Sequence, residues 1–271
     1  MSTYVISGVS KGLGFEFLRQ LSDNPKNIVI GLARDTKTTQ HKVSEELSGR
    51  SNIHIVHGDL LDYESLKKAA AETAAITGGS LDYLIANAGY MAHWDAYHPL
   101  GTLAQDPTRV QKEMRTLYET NITGNIYLIS QFMPLILKGD KKKVIAITSG
   151  QGDRDVVNQL ELELNSLYAV VKAGLNMLVA KYSAQYKQDG VLFLAVCPGA
   201  VDNGHYDDLK PEQIEAVKGM MGKFVKYAPH FRGPVPPAGA IADVIKVWEE
   251  ASIEKGNAGD SLSHWGNKRW L

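Results

Sequence analysis

The sequence predicts an α/β fold built on a parallel sheet, and three observations carry that prediction. Short apolar runs alternate with longer helical patterns, strand then helix then strand, along most of the chain. Several of those runs are apolar without alternation, as in parallel strands buried on both faces. No internal repeat, low-complexity tract or linker divides the 271 residues, so the whole of 1–271 reads as one domain.

The elements follow in order. Thr3–Ser7 is a compact apolar run that meets a glycine at once, and residues 13–22 continue as a helix. Ile28–Ala33 and Ile53–His57 are the next two strands. Tyr63–Thr77 reads as a helix, 81–86 as a strand ending on asparagine and glycine, and 108–137 as a long helix. Residues 143–148 form a fifth strand, 167–188 a second long helix, and 191–197 a sixth strand closed by proline. A helix near 238–251 precedes a short strand around 260–264. Two segments break the rhythm. Residues 150–165 show no clear element. Residues 203–237 carry one helical piece near 211–225, followed by Pro229, Gly233, Pro234, Pro236 and Pro237. Long irregular stretches inside a compact domain are usually functional loops, so these two are the expected substrate loops.

Composition narrows the function classes. Apolar residues make up 44% and charged residues 22%, ordinary for a soluble globular protein. Lys plus Arg number 29 against 30 Asp plus Glu, a net charge of −1, which gives no bulk support for a nucleic-acid or membrane partner. The lone Cys197 excludes an intramolecular disulfide and a cysteine-rich zinc site. Eight histidines show no H-x-x-x-H spacing, so no metal is expected. No run approaches the roughly 18 apolar residues of a membrane span, and no targeting signal is visible, so the expectation is a cytoplasmic protein.

The chemistry begins at Ser7-Gly8-Val9-Ser10-Lys11-Gly12-Leu13-Gly14, a strand end, a glycine turn and a helix start. Gly8 can take backbone angles closed to other residues, and Gly12 and Gly14 let backbone approach a phosphate. The helix N-terminus offers free N–H groups and partial positive charge. The alternative is a tight turn that binds nothing. The spacing is G-x-x-x-G-x-G rather than the common dinucleotide fingerprint. Arg34 ends the second strand, where an adenosine ribose would lie; with Lys11 it suits the extra phosphate of NADP, although Asp35 beside it could instead accept the ribose hydroxyl of NAD. Tyr168 and Lys172 stand four apart on a helical stretch and share a face. An ammonium beside a phenol favours the phenolate and makes an acid/base couple, but such pairs also occur on ordinary helix surfaces. Ser149, at the end of the fifth strand, could donate a hydrogen bond to a carbonyl oxygen.

Taken together the residues resemble the short-chain dehydrogenase/reductase family over nearly the whole chain. The matching pieces, in family order, are Ser7-Gly8-x-x-x-Gly12-x-Gly14, Asp59-Leu60, Ala86-Asn87-Ala88-Gly89, Asn121, Ser149, Tyr168-x-x-x-Lys172 and Pro198-Gly199. The short N-terminus, the Ala-Asn-Ala-Gly and the run Gly266-Asn267-Lys268-Arg269-Trp270-Leu271 are most similar to fungal ketoreductase-like members of secondary metabolism.

The resemblance implies a Rossmann-like three-layer sandwich with a mostly parallel seven-stranded sheet in the order 3-2-1-4-5-6-7. It implies that Tyr168 exchanges the proton, Lys172 lowers its pKa and binds the nicotinamide ribose, Ser149 orients the carbonyl, and Asn121 holds a water that connects Lys172 to solvent. Gly8, Ser10, Lys11, Gly12, Leu13, Gly14, Arg34, Asp59, Leu60, Asn87, Gly89, Pro198 and Val201, together with Tyr168 and Lys172, would hold the cofactor, NADP(H). Oligomerisation through the two long helices is a further implication. Four departures stand out: Ser7 for threonine, Ala86 for asparagine, Asn203 where threonine is common, and 19 positions from Ser149 to Tyr168, longer than the usual spacing.

Other signals stay open on the sequence alone. His93 and Trp94 either line a pocket or cover a core edge, and His205 and Tyr206 invite the same two readings. Asp153 and Asp155 either meet a substrate or belong to a solvated loop. Cys197 reads as a small buried hydrophobe. The expected function is NADPH-dependent reduction of a ketone or aldehyde of a small organic substrate. An imine or iminium reductase, a recruited cyclase or epimerase, and a non-catalytic NADP-binding regulator are the alternatives.

Overall fold

The computed structural model describes residues 1–202, 204 and 209–271; the expectations for Asn203, His205 and Tyr206 fall outside them. Seven strands form one sheet: β1 (Thr3–Ser7), β2 (Ile28–Ala33), β3 (Ile53–His57), β4 (Tyr83–Ala86), β5 (Lys143–Ile147), β6 (Leu192–Cys197) and β7 (Ser261–Ser263). Their order is β3-β2-β1-β4-β5-β6-β7. Every pairing in the sheet is parallel, where the sequence predicted a mostly parallel one.

Unbroken apolar strands follow from burial on both faces. Along β1, Tyr4 and Ile6 face one core while Val5 faces the other, as a side-chain period of two requires. The first core packs the sheet against α1 (Gly12–Leu21), α2 (Thr36–Glu46) and α10 (Pro237–Glu250). The second packs it against α3 (Tyr63–Thr77), α6 (Gly124–Ile136) and α8 (Ser166–Tyr186). Trp248, stacked on Phe17 with ring centroids 5.4 Å apart, fills the first; Phe193, 5.4 Å from Tyr182, anchors the second.

Three predictions need correction. The stretch after β2 is a helix, α2, that the sequence reading passed over. Of its side chains only Thr39 and Val43 are buried, too few to print a helical period, and the signal was Asp35, which caps it by accepting from the Thr38 N–H at 3.0 Å. The supposedly irregular 150–165 contains a helix, α7 (Arg154–Leu160), capped by Asp153 and burying Val156 and Leu160, four apart on one face. The single long helix predicted over 108–137 is α5 (Pro107–Tyr118) and α6 joined by a wider π-helical turn, Glu119–Thr123, with Asn121 buried in it. Short α4 (Leu100–Leu103) precedes α5, and the helix over Pro211–Tyr227, α9, runs slightly longer than predicted. Among the described residues no helix is long and apolar enough to cross a membrane.

Parallel strands end on the same edge. The glycine turn follows β1, Arg34 follows β2, Asp59 and Leu60 lie just past β3, Asn87 follows β4, Ser149 lies just past β5 and Pro198 follows β6. Strand order reverses between β1 and β4, the place where folds of this kind bind ligands.

Candidate active site

The glycine turn is shaped by contacts that leave no room for side chains. Gly8 has φ +76°, and a Cβ there would lie 2.9 Å from that of Ala88; one on Gly14 would lie 2.1 Å from the Gly8 carbonyl oxygen. Gly12 differs: its φ is +58°, and the space where its Cβ would stand is open. The Ser7 hydroxyl accepts from the N–H groups of Asn87 (3.1 Å) and Ala88 (3.0 Å), so a serine suffices where threonine is usual. Asn87 donates its side-chain amide to the Ser7 carbonyl at 3.0 Å, which locks β4 to the turn. At Lys11 the start of α1 has no side-chain cap and no acid in its first turn, so its N–H groups and dipole remain available to an anion. Open space before Gly12 and an uncapped helix start fit the diphosphate of a dinucleotide. Ser10, Lys11 and Arg34 are exposed, while Asp35 is engaged as the cap of α2 by Thr38, whose backbone and side-chain bonds hold its pKa down. Asp59 accepts from the Leu61 N–H at 3.0 Å. Leu60 is buried against α6, where a Cβ on Gly124 would come within 2.8 Å of it.

A cavity of about 290 Å³ opens beside this turn. It collects Leu13, Asn87, Gly89, Asn121, Ser149, Tyr168, Lys172, Pro198 and Val201 from the predicted set. Gly8, Ser10, Lys11, Gly12, Gly14, Arg34, Asp59 and Leu60 do not line it; they belong to the β1–β3 stretch of the same edge.

Tyr168 and Lys172 lie in the first two turns of α8. The Lys172 ammonium stands 5.5 Å from the centre of the Tyr168 ring and donates to the Ile147 carbonyl at 2.8 Å. It is buried, and that burial lowers its pKa to about 8. Asn121 donates from its amide nitrogen to the carbonyls of Tyr90 and Leu117, both at 2.9 Å, and accepts from the Tyr90 N–H at 3.3 Å. Gly89 permits this convergence: a Cβ there would lie 2.8 Å from the Asn121 Oδ1 and 3.8 Å from the Lys172 Nζ. The Ser149 hydroxyl accepts from the Gln151 N–H at 3.2 Å, leaving its own proton to be donated elsewhere. Buried Cys197 accepts from the N–H groups of Gly150 (3.1 Å) and Gly199 (3.4 Å), and burial pushes its thiol up, so its part here is to hold two loops together.

Sequence reasoning missed one anchor. Asp95 is fully buried in a single 3-10 turn, Asp95–Tyr97, and its two carboxylate oxygens accept from the N–H groups of Leu167 (2.9 Å) and Tyr168 (2.7 Å). Burial raises its pKa and those N–H bonds oppose the rise. It caps α8 from outside, since Asn165 at the helix start makes no side-chain cap. A partner 73 positions away leaves no local trace in the sequence. The further lining residues not named one by one are mostly apolar: Val156, Leu160 and Leu162, and Phe224 and Tyr227 on α9, fall inside the two stretches expected to form substrate loops, while Trp270 with Leu271 after β7, Tyr90, Met91 and the polar Thr148 lie outside them; polar Gln151 is in the first stretch. His93 and Trp94 do not line the cavity; Trp94 packs beside a small core and lies under the Arg109 guanidinium at 4.5 Å from its ring centre. Asp153 caps α7, and Asp155 pairs with Arg154 at 3.2 Å on the surface.

A sheet of this order, with a glycine turn after its first strand and a Tyr-x-x-x-Lys helix beside a strand-end serine, defines a class of nicotinamide-dependent oxidoreductase folds. The profile of the family described as short chain dehydrogenase matches residues 2–213, and the chain belongs to that family. It is 51% identical over 271 residues, all of both chains, to the short chain dehydrogenase virK of Hypocrea virens. It is 52% identical over 272 residues, again all of both, to the short-chain dehydrogenase/reductase iacC of Pestalotiopsis fici. Among solved structures, the NADPH-bound carbonyl reductase from chicken fatty liver superposes with a TM-score of 0.78 at 22% identity, covering 98% of each chain, which establishes the shared fold. Family and fold imply a nicotinamide cofactor.

Proposed function

We propose that the protein is an NADPH-dependent reductase of a ketone or aldehyde. One observation carries this reading: Ser149, Tyr168, Lys172 and Asn121 converge on a single cavity at the strand-end edge. When bound, the reduced nicotinamide supplies the hydride. The glycine turn from Gly8 to Gly14 would hold the diphosphate, Asp59 and Leu60 the adenine, and Asn87, Gly89, Pro198 and Val201 the nicotinamide half. Arg34 and Lys11, both exposed, suit a ribose phosphate, while Asp35 is drawn to the start of α2; this supports NADP over NAD.

The protein's own groups handle the proton. Ser149 donates to the carbonyl oxygen and orients it. Tyr168 would give that oxygen its proton, so that the reduced carbonyl leaves as an alcohol. Lys172, when protonated, stabilises the phenolate left behind. Asn121, held in the π-helical turn, keeps a route from Lys172 to solvent for the returning proton. Exposed Val170 and Met177 on α8 suit the self-association expected through the long helices.

The test is NADPH consumption by wild type and Tyr168→Phe against ketones, aldehydes and cyclic imines. Ketone turnover should fall by about 10²–10⁴-fold in the variant, the usual worth of a positioned general acid. Turnover that survives the substitution overturns Tyr168 as proton donor and points to iminium reduction. NADPH binding without turnover of any compound would favour a regulator.

A further inference from the structure

We propose, resting on the carbonyl reductase reading, that the substrate is an uncharged carbonyl compound bearing one ring-sized apolar group, and that Trp270 sets the size of that group. The apolar wall of the cavity is a small core of its own, separate from the two that clasp the sheet. Val156 and Leu160 from α7, Phe224 from α9 and Trp270 pack together in it. Side chains from three distant stretches therefore meet in the lining of the cavity that also holds Ser149 and Tyr168.

Trp270 holds the decisive place. It is only 3% exposed, yet it lines the cavity. Three of its side-chain atoms lie 3.1 Å from where a Cβ on Gly150 would stand, and Gly150 directly follows Ser149. The indole thus borders the neighbour of the residue assigned to the carbonyl and lines the same cavity, so a group attached to that carbonyl would meet its face or edge. Aromatic surfaces of this kind favour flat apolar partners.

Charge on the substrate is disfavoured. Among the described lining residues the one formally charged side chain is Lys172, which is buried and bonded to Ile147. Among the described residues two nearby acids are occupied outside the cavity: Asp153 caps α7 and lies 3.9 Å from Lys268, and Glu163 pairs with Lys223. Among the described lining residues an ionised substrate would find only that buried ammonium, already bonded to Ile147, to repay its lost hydration. Volume sets the remaining limit. About 290 Å³ is at the small end for ligand pockets, and on the proposed reading a nicotinamide would take part of it. The wall is also pinned. Lys223 donates to the Glu161 carbonyl at 2.6 Å, and Phe224 meets Phe231 edge-on at 5.6 Å. A wall held in this way selects by size.

The experiment uses the full chain with acetophenone, its anionic relative 4-acetylbenzoate, and the bulkier 2-acetylnaphthalene, reading kcat/KM with NADPH and, separately, binding by saturation-transfer NMR. Wild type should prefer acetophenone to 4-acetylbenzoate by tenfold or more in both readouts. Trp270→Ala should lower kcat/KM for acetophenone about tenfold and raise it for 2-acetylnaphthalene, while Trp270→Phe, which keeps a ring and guards against a folding defect, should fall between. Equal or better handling of the anion, binding of none of the three, or an unchanged ranking in the Trp270 variants would overturn the proposal. Selective binding of the neutral ring without turnover would sink the reductase reading and leave the substrate class standing.

Discussion

Ser149 and Trp270 line the same cavity but are held there by different means. The Ser149 side of the cavity is made of strand ends and loops tied through backbone N–H groups: Thr148 donates to the Val196 carbonyl at 3.0 Å, Gly152 to the Ser149 carbonyl at 3.0 Å, and Gly150 to the Cys197 sulfur. The Trp270 side is made of side-chain packing between α7, α9 and the residues after β7. A backbone-bonded wall cannot shift without breaking pairs that water cannot restore in a buried site. A packed wall can exchange one apolar shape for another at modest cost. On the proposed reading chemistry sits on the first and selection on the second, so the substrate could change while the proton machinery stays.

Matched substitutions sharpen that contrast. Phe193→Ala, in the fully buried β6 core, should cost about 4 kcal/mol, whereas Phe224→Ala, beside the cavity, should cost about half of that because its void opens onto existing space. Urea unfolding of both variants checks this, and equal losses would mean that the apolar wall is as integral to the fold as the sheet. The Phe224 variant should also raise KM more than it lowers kcat.

Asp95→Ala comes next. Removing the carboxylate leaves two N–H groups of α8 without their acceptor, and stability should fall by about 2 kcal/mol. Asp95→Asn should recover part of the loss, since one amide oxygen still accepts. A full loss in the asparagine variant would show that the charge at the helix start matters more than the bond.

The last effect is the pH response of Lys172. Its folded pKa, about 8, lies below the usual lysine value, so between those two values the unfolded chain binds more protons and stability rises with pH. Below about pH 8 burying the charge is a constant cost. Lys172→Met should lose activity, and its stability should lack that rise; a rise of equal size in the variant would assign it to another group.

Much of this site could be read without coordinates because its signals are local. Tyr168 and Lys172 share a helix face by spacing alone. The glycines mark a turn by type, and unbroken apolar runs such as Leu192–Cys197 announce strands covered on both sides. Element order then carries Ser149, Asn87 and Pro198 to one edge, since parallel strands must all end there.

What escaped was whatever depended on distance along the chain or on a face too small to repeat. Helices α2 and α7 bury two side chains each, so their hydrophobic period never emerges. The bond from Asp95 to the start of α8, and the meeting of Trp270 with Gly150, join segments 73 and 120 positions apart. Local sequence determined the strands, the turn and the shared helix face of Tyr168 and Lys172, because hydrogen-bonding pattern and side-chain period act between near neighbours. Only the tertiary structure decided which apolar side chains close the cavity, because packing rewards shape and is indifferent to where in the chain the shapes come from.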